Sequence, residues 1–416
     1  MSKFNFPLAA MLFASLSAVA GEPYVTNLVV RQNWPWTGKV SINFTLVADT
    51  RADLDVTATH AGGTIDLTQG GLDHAPLSIQ PGDCHFEWDP VTAGYGELKD
   101  LKISITPSTA DHTYLVFNLE TGAHEYLSAV PEGGWTDEYK TTKLVFRRIP
   151  GGAFTMGVPD EVIKTYIGVN DTRQRAHSVK ISTDYYVAVF PMTTAQYWRI
   201  SGGTASGGTT RVATTYVNLR GNLAAGINWP VSGHTVAGGS FIDKTRKLFG
   251  GAFLVDLATE AQWEHAARAD APGLWYAVEG FPDGGTMDEL GPWKSESYTN
   301  ILNKIAAWDS RDQSLTSTPV GTKLPNRFGL YDVCGIDCEW VLDYENLGVL
   351  GNAVDPVGIT GNPASDAKNS RMRRGGPAYN TSSVLGSDAT IVRRYAMVST
   401  QNAMIRLAIH LVPLVK

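Results

Sequence analysis

From residue 24 to about residue 105, apolar and polar positions alternate along the chain. Val40, Ile42, Phe44 and Leu46 share one side, while Ser41, Asn43 and Thr45 share the other. Leu54, Val56 and Ala58 repeat the period, as do Leu101, Ile103 and Ile105, and turn-forming runs such as Asp49-Thr50-Arg51-Ala52-Asp53 and Gly62-Gly63 lie between them. Short half-buried strands at this spacing predict an all-β sandwich of the immunoglobulin or fibronectin kind over residues 21–130. A second alternating stretch, 114–126, reads as a pairing strand leading out, and Pro131-Glu132-Gly133-Gly134 reads as a hinge. Trp34, Trp36, Phe86 and Trp88 stand at strand edges. Such rings either stack on sugars or fill a core, and packing is the commoner use. No catalytic constellation falls in this part, which reads as a spacer or adhesion module.

Beyond residue 131 the design changes. Residues 179–190 are rich in β-formers, and Thr259 with Gln262 spells a capping box that opens a helix with Trp263, Ala266 and Ala267 on its inner stripe. Residues 326–344 form a glycine-punctuated stretch rich in acids and aromatics. Near the end, Ile405, Leu407, Ile409 and Leu411 alternate with Arg406, Ala408 and His410, a terminal strand. The class predicted for 131–416 is α+β with much irregular loop.

Composition narrows the function classes. The 416 residues suggest more than one domain, and 42 glycines with 21 prolines favour turns and loops over long helices. A formal net charge of −7 excludes the basic face that nucleic acid requires. Lys3, the apolar run 8–20, and Ala18 and Ala20 before Gly21 form the pattern of a cleaved leader over residues 1–20. That run is shorter than the roughly 20 residues needed to span a bilayer, so an exported chain, periplasmic or extracellular, is expected, with no membrane span. The three cysteines, Cys84, Cys334 and Cys338, are too few for a disulfide framework. Cys334 and Cys338 either bridge or stand as two separate small apolar residues.

Several segments of the second part stand in a recognisable order. They are Phe154-Thr155-Met156-Gly157, Pro191-Met192-Thr193-Thr194-Ala195-Gln196-Tyr197, Leu257-Ala258-Thr259-Glu260-Ala261-Gln262-Trp263-Glu264-His265-Ala266-Ala267-Arg268, Pro319-Val320-Gly321, Pro325-Asn326-Arg327-Phe328-Gly329-Leu330-Tyr331-Asp332, Glu339-Trp340 and Arg374-Gly375-Gly376. In this order they resemble the formylglycine-generating, or sulfatase-modifying factor, family. The resemblance implies a loop-rich relative of the C-type lectin fold. It also implies an oxidation that turns a substrate protein's cysteine into formylglycine, using oxygen and copper held by two cysteines. A soft thiolate pair suits Cu(I) where oxygen ligands do not.

Counting from Gly376 places Asn380 and Leu385 where the resemblance puts the two thiols, and no cysteine follows Cys338. Copper is therefore not expected and no catalytic residue is assigned. Where relatives place a calcium-binding asparagine this chain has Ile336, and Asp337, one residue on, is the substitute. Asp337 with Glu339 in the acidic run either binds calcium or belongs to a solvated, salt-bridged loop, with Asn300 and Asp309 as a second calcium set. The expected ligand groove comprises Arg374, Tyr379, Asn380 and Arg394, walled by Trp308 and Trp340. The arginines at 371, 373, 374, 393, 394 and 406 either bind an anion or pair with the acidic run Asp332, Asp337, Glu339, Asp343 and Glu345, and internal pairing is the commoner outcome. A peptide, glycan or protein surface is the expected partner, a sulfatase among the candidates. The competing reading is an active oxidase with a different metal arrangement.

Overall fold

The computed structural model describes residues 22–33, 37–96, 98, 100–162, 174–203, 208–221, 235–278, 281, 296–307, 318–335, 337–344, 351–356, 370–376, 394–398 and 400–411. The leader expected at 1–20, together with Trp34, Trp36, Trp308, Asp309, Tyr379, Asn380, Leu385 and Arg393, lies outside these residues.

The period-two segments at the start of the chain are strands. β1 (Tyr24–Gln32), β2 (Val40–Val47), β3 (Leu54–His60), β4 (Gly63–Asp66), β5 (Gly82–Trp88) and β6 (Lys102–Pro107) make two antiparallel three-stranded sheets, ordered β1-β2-β5 and β4-β3-β6. The faces named from alternation point inward: Val40, Ile42, Phe44 and Leu46 of β2 and Leu54, Val56 and Ala58 of β3 share one apolar cluster with Phe86 and Trp88. Phe44 stacks on Phe86 with centroids 5.4 Å apart. Phe86 and Trp88 are fully buried, which leaves them no face for a sugar.

The stretch read as one pairing strand is a hairpin, β7 (Tyr114–Asn118) and β8 (His124–Leu127). Asn118 explains the difference, because its side-chain oxygen accepts from the backbone N–H groups of Glu120 and Thr121 at 2.8 and 3.2 Å and turns the chain. β7 then pairs with β9 (Lys143–Ile149), so the hairpin belongs to the sheet of the later segment. Following in order are β10 (Gly152–Met156), the single turn α1 (Asp160–Val162), β11 (His177–Ile181), β12 (Tyr185–Ala188), α2 (Thr194–Ser201), β13 (Ala213–Thr215), α3 (Tyr216–Arg220), α4 (Phe241–Leu248), β14 (Leu254–Leu257) and α5 (Glu260–Arg268). After the helix Glu296–Ile305 come β15 (Ala306–Ala307), β16 (Cys334–Gly335), β17 (Glu339–Tyr344), β18 (Ala353–Val354), β19 (Ser370–Arg374), β20 (Tyr395–Val398), β21 (Asn402–Met404) and β22 (Leu407–His410).

Two sheets carry this part, a six-stranded one ordered β14-β22-β12-β9-β7-β8 and a five-stranded one ordered β13-β21-β17-β19-β20. Short helices and long connections complete an α+β, loop-rich structure. The terminal strand read from the alternation is present as β22, and it carries buried side chains on both faces. β22 lies between β14 and β12, so Leu407 and Ile409 enter one apolar cluster and Ala408 another. Among the described residues, no helix is long and apolar enough to cross a membrane.

Within the later part, Phe117 of β7 stacks on Phe249, just after α4, at 3.6 Å. The N-terminal sheets are fastened to this part by charge. Asp53 accepts from His112 Nδ1 at 2.6 Å, from the Ser78 N–H at 2.7 Å and from Arg148 at 2.5 and 3.2 Å. Burial alone would raise the Asp53 carboxyl, but the hydrogen bonds from His112 and Arg148 outweigh it and hold it down at about 2.

Candidate functional site

Helix α5 is the centre of the second part, and its start was legible. Thr259 Oγ1 accepts from the Gln262 N–H at 3.1 Å while Gln262 Oε1 accepts from the Thr259 N–H at 2.9 Å, a complete capping box. Its end is held by Asn326, whose side-chain amide donates to the carbonyls of Ala266 and Ala267 and whose oxygen accepts from the N–H groups of Phe328 and Leu330. Helical spacing puts Glu260, Glu264 and Arg268 on one stripe. All three are buried.

That stripe meets the arginines of the last fifth of the chain. Arg374 Nη1 donates to Glu260 Oε1 at 2.8 Å and its Nη2 to Glu264 Oε2. Arg394 grips Glu260 with both oxygens engaged, at 2.5 and 2.7 Å. Glu264 also accepts from Arg268 Nε at 2.8 Å and from the Gly157 N–H at 2.7 Å. Arg268 spends its other nitrogens on the carbonyls of Gly157, Ala271, Pro272 and Gly273. Burial pushes the Glu260 carboxyl up, but the Arg394 and Arg374 guanidiniums hold it at about 2. Glu264 is held low against burial by Arg268 and then Arg374. Beside this cluster, Glu339 accepts from Trp263 Nε1 at 2.6 Å and from Arg406 Nε at 2.9 and 3.0 Å.

These contacts correct the expected groove. Arg374 and Arg394 are interior ion-pair partners rather than groove residues. Trp340 is fully buried, with its Nε1 donating to the Thr214 carbonyl at 2.9 Å, and walls no opening. Tyr379, Asn380 and Trp308 lie outside the described residues. Internal pairing does occur, but Arg374 and Arg394 pair with carboxylates on α5 instead of the acidic run. Sequence order could not show this, because Glu260 and Arg374 lie 114 residues apart.

The calcium sets fare no better as donors. Both Glu339 oxygens are taken by a guanidinium and an indole, leaving little for a cation that wants six to eight oxygens. Asp337 Oδ1 accepts from the Cys338 N–H at 2.7 Å, and burial raises its carboxyl. Asn300 is exposed on the helix Glu296–Ile305, and Asp309 lies outside the described residues. Among the described residues, no group of three or more His, Cys, Asp or Glu side chains gathers as a metal site would.

Cys334 and Cys338 are free, separate and buried, as is Cys84. Burial pushes all three thiols up, away from the thiolate form that reacts or binds soft metals. An aromatic disulfide reagent should therefore label none of the three in the native protein while labelling all three after denaturation; rapid native labelling of Cys334 or Cys338 would show that the burial argument fails.

Helix, capping box and the Arg-Gly-Gly turn together form one scaffold. Gly375 takes φ +97° there, with the Val333 carbonyl 3.1 Å from where a Cβ would sit. The profile of the sulfatase-modifying factor enzyme 1-like domain matches residues 136–396. The chain belongs to this family. The formylglycine-generating enzyme of Streptomyces coelicolor is 30% identical over 122 residues, covering 29% of this chain and 35% of that enzyme. The match thus spans about a third of the relative's length. No solved structure matches. Within the sulfatase-modifying factor-like domain, the ordered sequence motifs serve in the structure chiefly as caps, turns and buried ion pairs.

Proposed function

We propose that this chain is a non-oxidising, ligand-binding member of the sulfatase-modifying factor family. One observation carries the reading: the positions expected to hold the family's thiol pair are Asn380 and Leu385, and no cysteine follows Cys338. The remaining thiols of this part, Cys334 and Cys338, are buried and held neutral, which supports the same reading. On this proposal a C-type-lectin-like scaffold keeps its core while its irregular connections carry recognition of a peptide, glycan or protein surface. The N-terminal sheets, an immunoglobulin- or fibronectin-like module in this reading, serve as the spacer. The leader pattern at 1–20 supports export, to the periplasm or beyond.

The test is conversion of a cysteine-bearing sulfatase-motif peptide by the purified protein with Cu(I), reductant and oxygen, followed by mass spectrometry. No aldehyde is expected, against a formylglycine-generating enzyme run alongside as control. Aldehyde formation would overturn the non-oxidising reading in favour of catalysis by a different metal arrangement.

A further inference from the structure

The arginines of β19 divide by face. Arg374 points to α5, where its two terminal nitrogens are taken by Glu260 and Glu264. Arg371 and Arg373, two residues apart on a strand, share the opposite face. Their cross-strand partners on β17 are Tyr344 and Trp340.

Arg371 is held between two rings, with its guanidinium carbon 3.3 Å from the Tyr344 centroid and 4.6 Å from that of Tyr216. Arg373 lies over Trp340 at 5.9 Å. Both are more than nine-tenths buried yet not sealed, at 8% and 6% exposed. Rings on the two faces of a guanidinium satisfy none of its N–H groups, which point outward in its plane. Here the Nε of each arginine is buried without an acceptor among the described residues. Among the described residues, the one carboxylate within ion-pairing reach is Asp337, 4.0 Å from Arg373 Nη1 and already accepting from the Cys338 N–H. A buried guanidinium left in this state is costly, and an anionic partner relieves it.

We propose that Arg371 and Arg373 form a binding site for a tetrahedral oxyanion, a sulfate or phosphate group, recognised in the plane of two ring-backed guanidiniums. Two forks about 7 Å apart along one strand face call for oxygens directed to more than one side. A tetrahedral group offers these, whereas a carboxylate presents its two oxygens to a single fork. The proposal rests on the binding reading for its biological role and names the ligand chemistry that reading leaves open.

The experiment is calorimetric titration of the full-length mature protein at constant ionic strength. The probes are inorganic sulfate, glucose 6-sulfate, O-phosphoserine and acetate. Saturable one-to-one binding of at least one tetrahedral probe is expected, and comparison of the free ion with the two esters shows whether the source is an ion, a sulfated sugar or a phosphorylated peptide. Arg371→Lys and Arg373→Lys, which keep the charge but lose the fork, should each weaken binding roughly tenfold or more. Asp337→Asn, which removes the competing carboxylate, should tighten it. Absence of binding, acetate binding as well as the tetrahedral probes, or lysine variants that fold and bind like the parent would each overturn the site. Should a lysine variant fail to fold, Asp337→Asn decides: unchanged affinity overturns the proposal. Peptide conversion with intact anion binding would remove the non-oxidising reading and leave the site standing.

Discussion

Replacing Arg374 with alanine is expected to lower stability by about 3–5 kcal/mol, the cost typical of breaking a buried ion pair from one side. The substitution strips one donor from Glu260 and one from Glu264. Arg394 and Arg268 remain, which places the effect towards the lower end of that range. Urea unfolding followed by circular dichroism measures it, and a loss under about 1 kcal/mol would mean that water reaches the network. The acid limb gives an independent reading. Glu260 is lowered from 4.5 to about 2, so its ionised form is the one the fold favours. Its contribution, roughly 3 kcal/mol, is complete above the unfolded value and is lost as pH falls from about 4.5 through about 2. In the Arg374→Ala protein the folded carboxyl moves back up, and the dependence on pH across that window should flatten.

Gly122→Ala is expected to be nearly as damaging, for a steric reason. Gly122 turns the β7–β8 hairpin at φ +76°, and a Cβ there would fall well inside contact distance of the Leu248 carbonyl oxygen at the end of α4. Neither atom is the far end of a flexible side chain, so backbone must move. Left-handed strain adds to the clash, for a combined loss of about 2–4 kcal/mol. Gly133→Ala is the control: it also has positive φ, at +86°, but nothing stands within 4 Å of its Cβ position. That substitution should cost about 1 kcal/mol. Equal losses for the two glycines would show that the hairpin does not rest against α4 as described. A lowered midpoint with faster amide exchange at Tyr126 and Leu127 in Gly122→Ala alone would locate the damage in the hairpin.

Local chemistry was readable wherever a residue's neighbours in space are its neighbours in the chain. The inward faces of β2 and β3 followed from period two, and the start of α5 followed from Thr259 and Gln262. The ordered motifs led to the family because they encode such local devices, among them the capping box and the Arg-Gly-Gly turn. Where charge meets charge, the chain order was silent. Whether Arg371, Arg373, Arg374, Arg394 and Arg406 face a ligand or a carboxylate depends on which side of a strand each occupies and on what the sheet packs against. The sequence by itself therefore determined the strand periods, the helix cap, the family and the want of late thiols. Tertiary structure alone decided that Arg374 and Arg394 lock onto α5 while Arg371 and Arg373 pack against rings, with no acceptor for either Nε among the described residues. The reason is physical: a guanidinium's role is set by the oxygen within 3 Å of it, and only folding brings that oxygen from more than a hundred residues away.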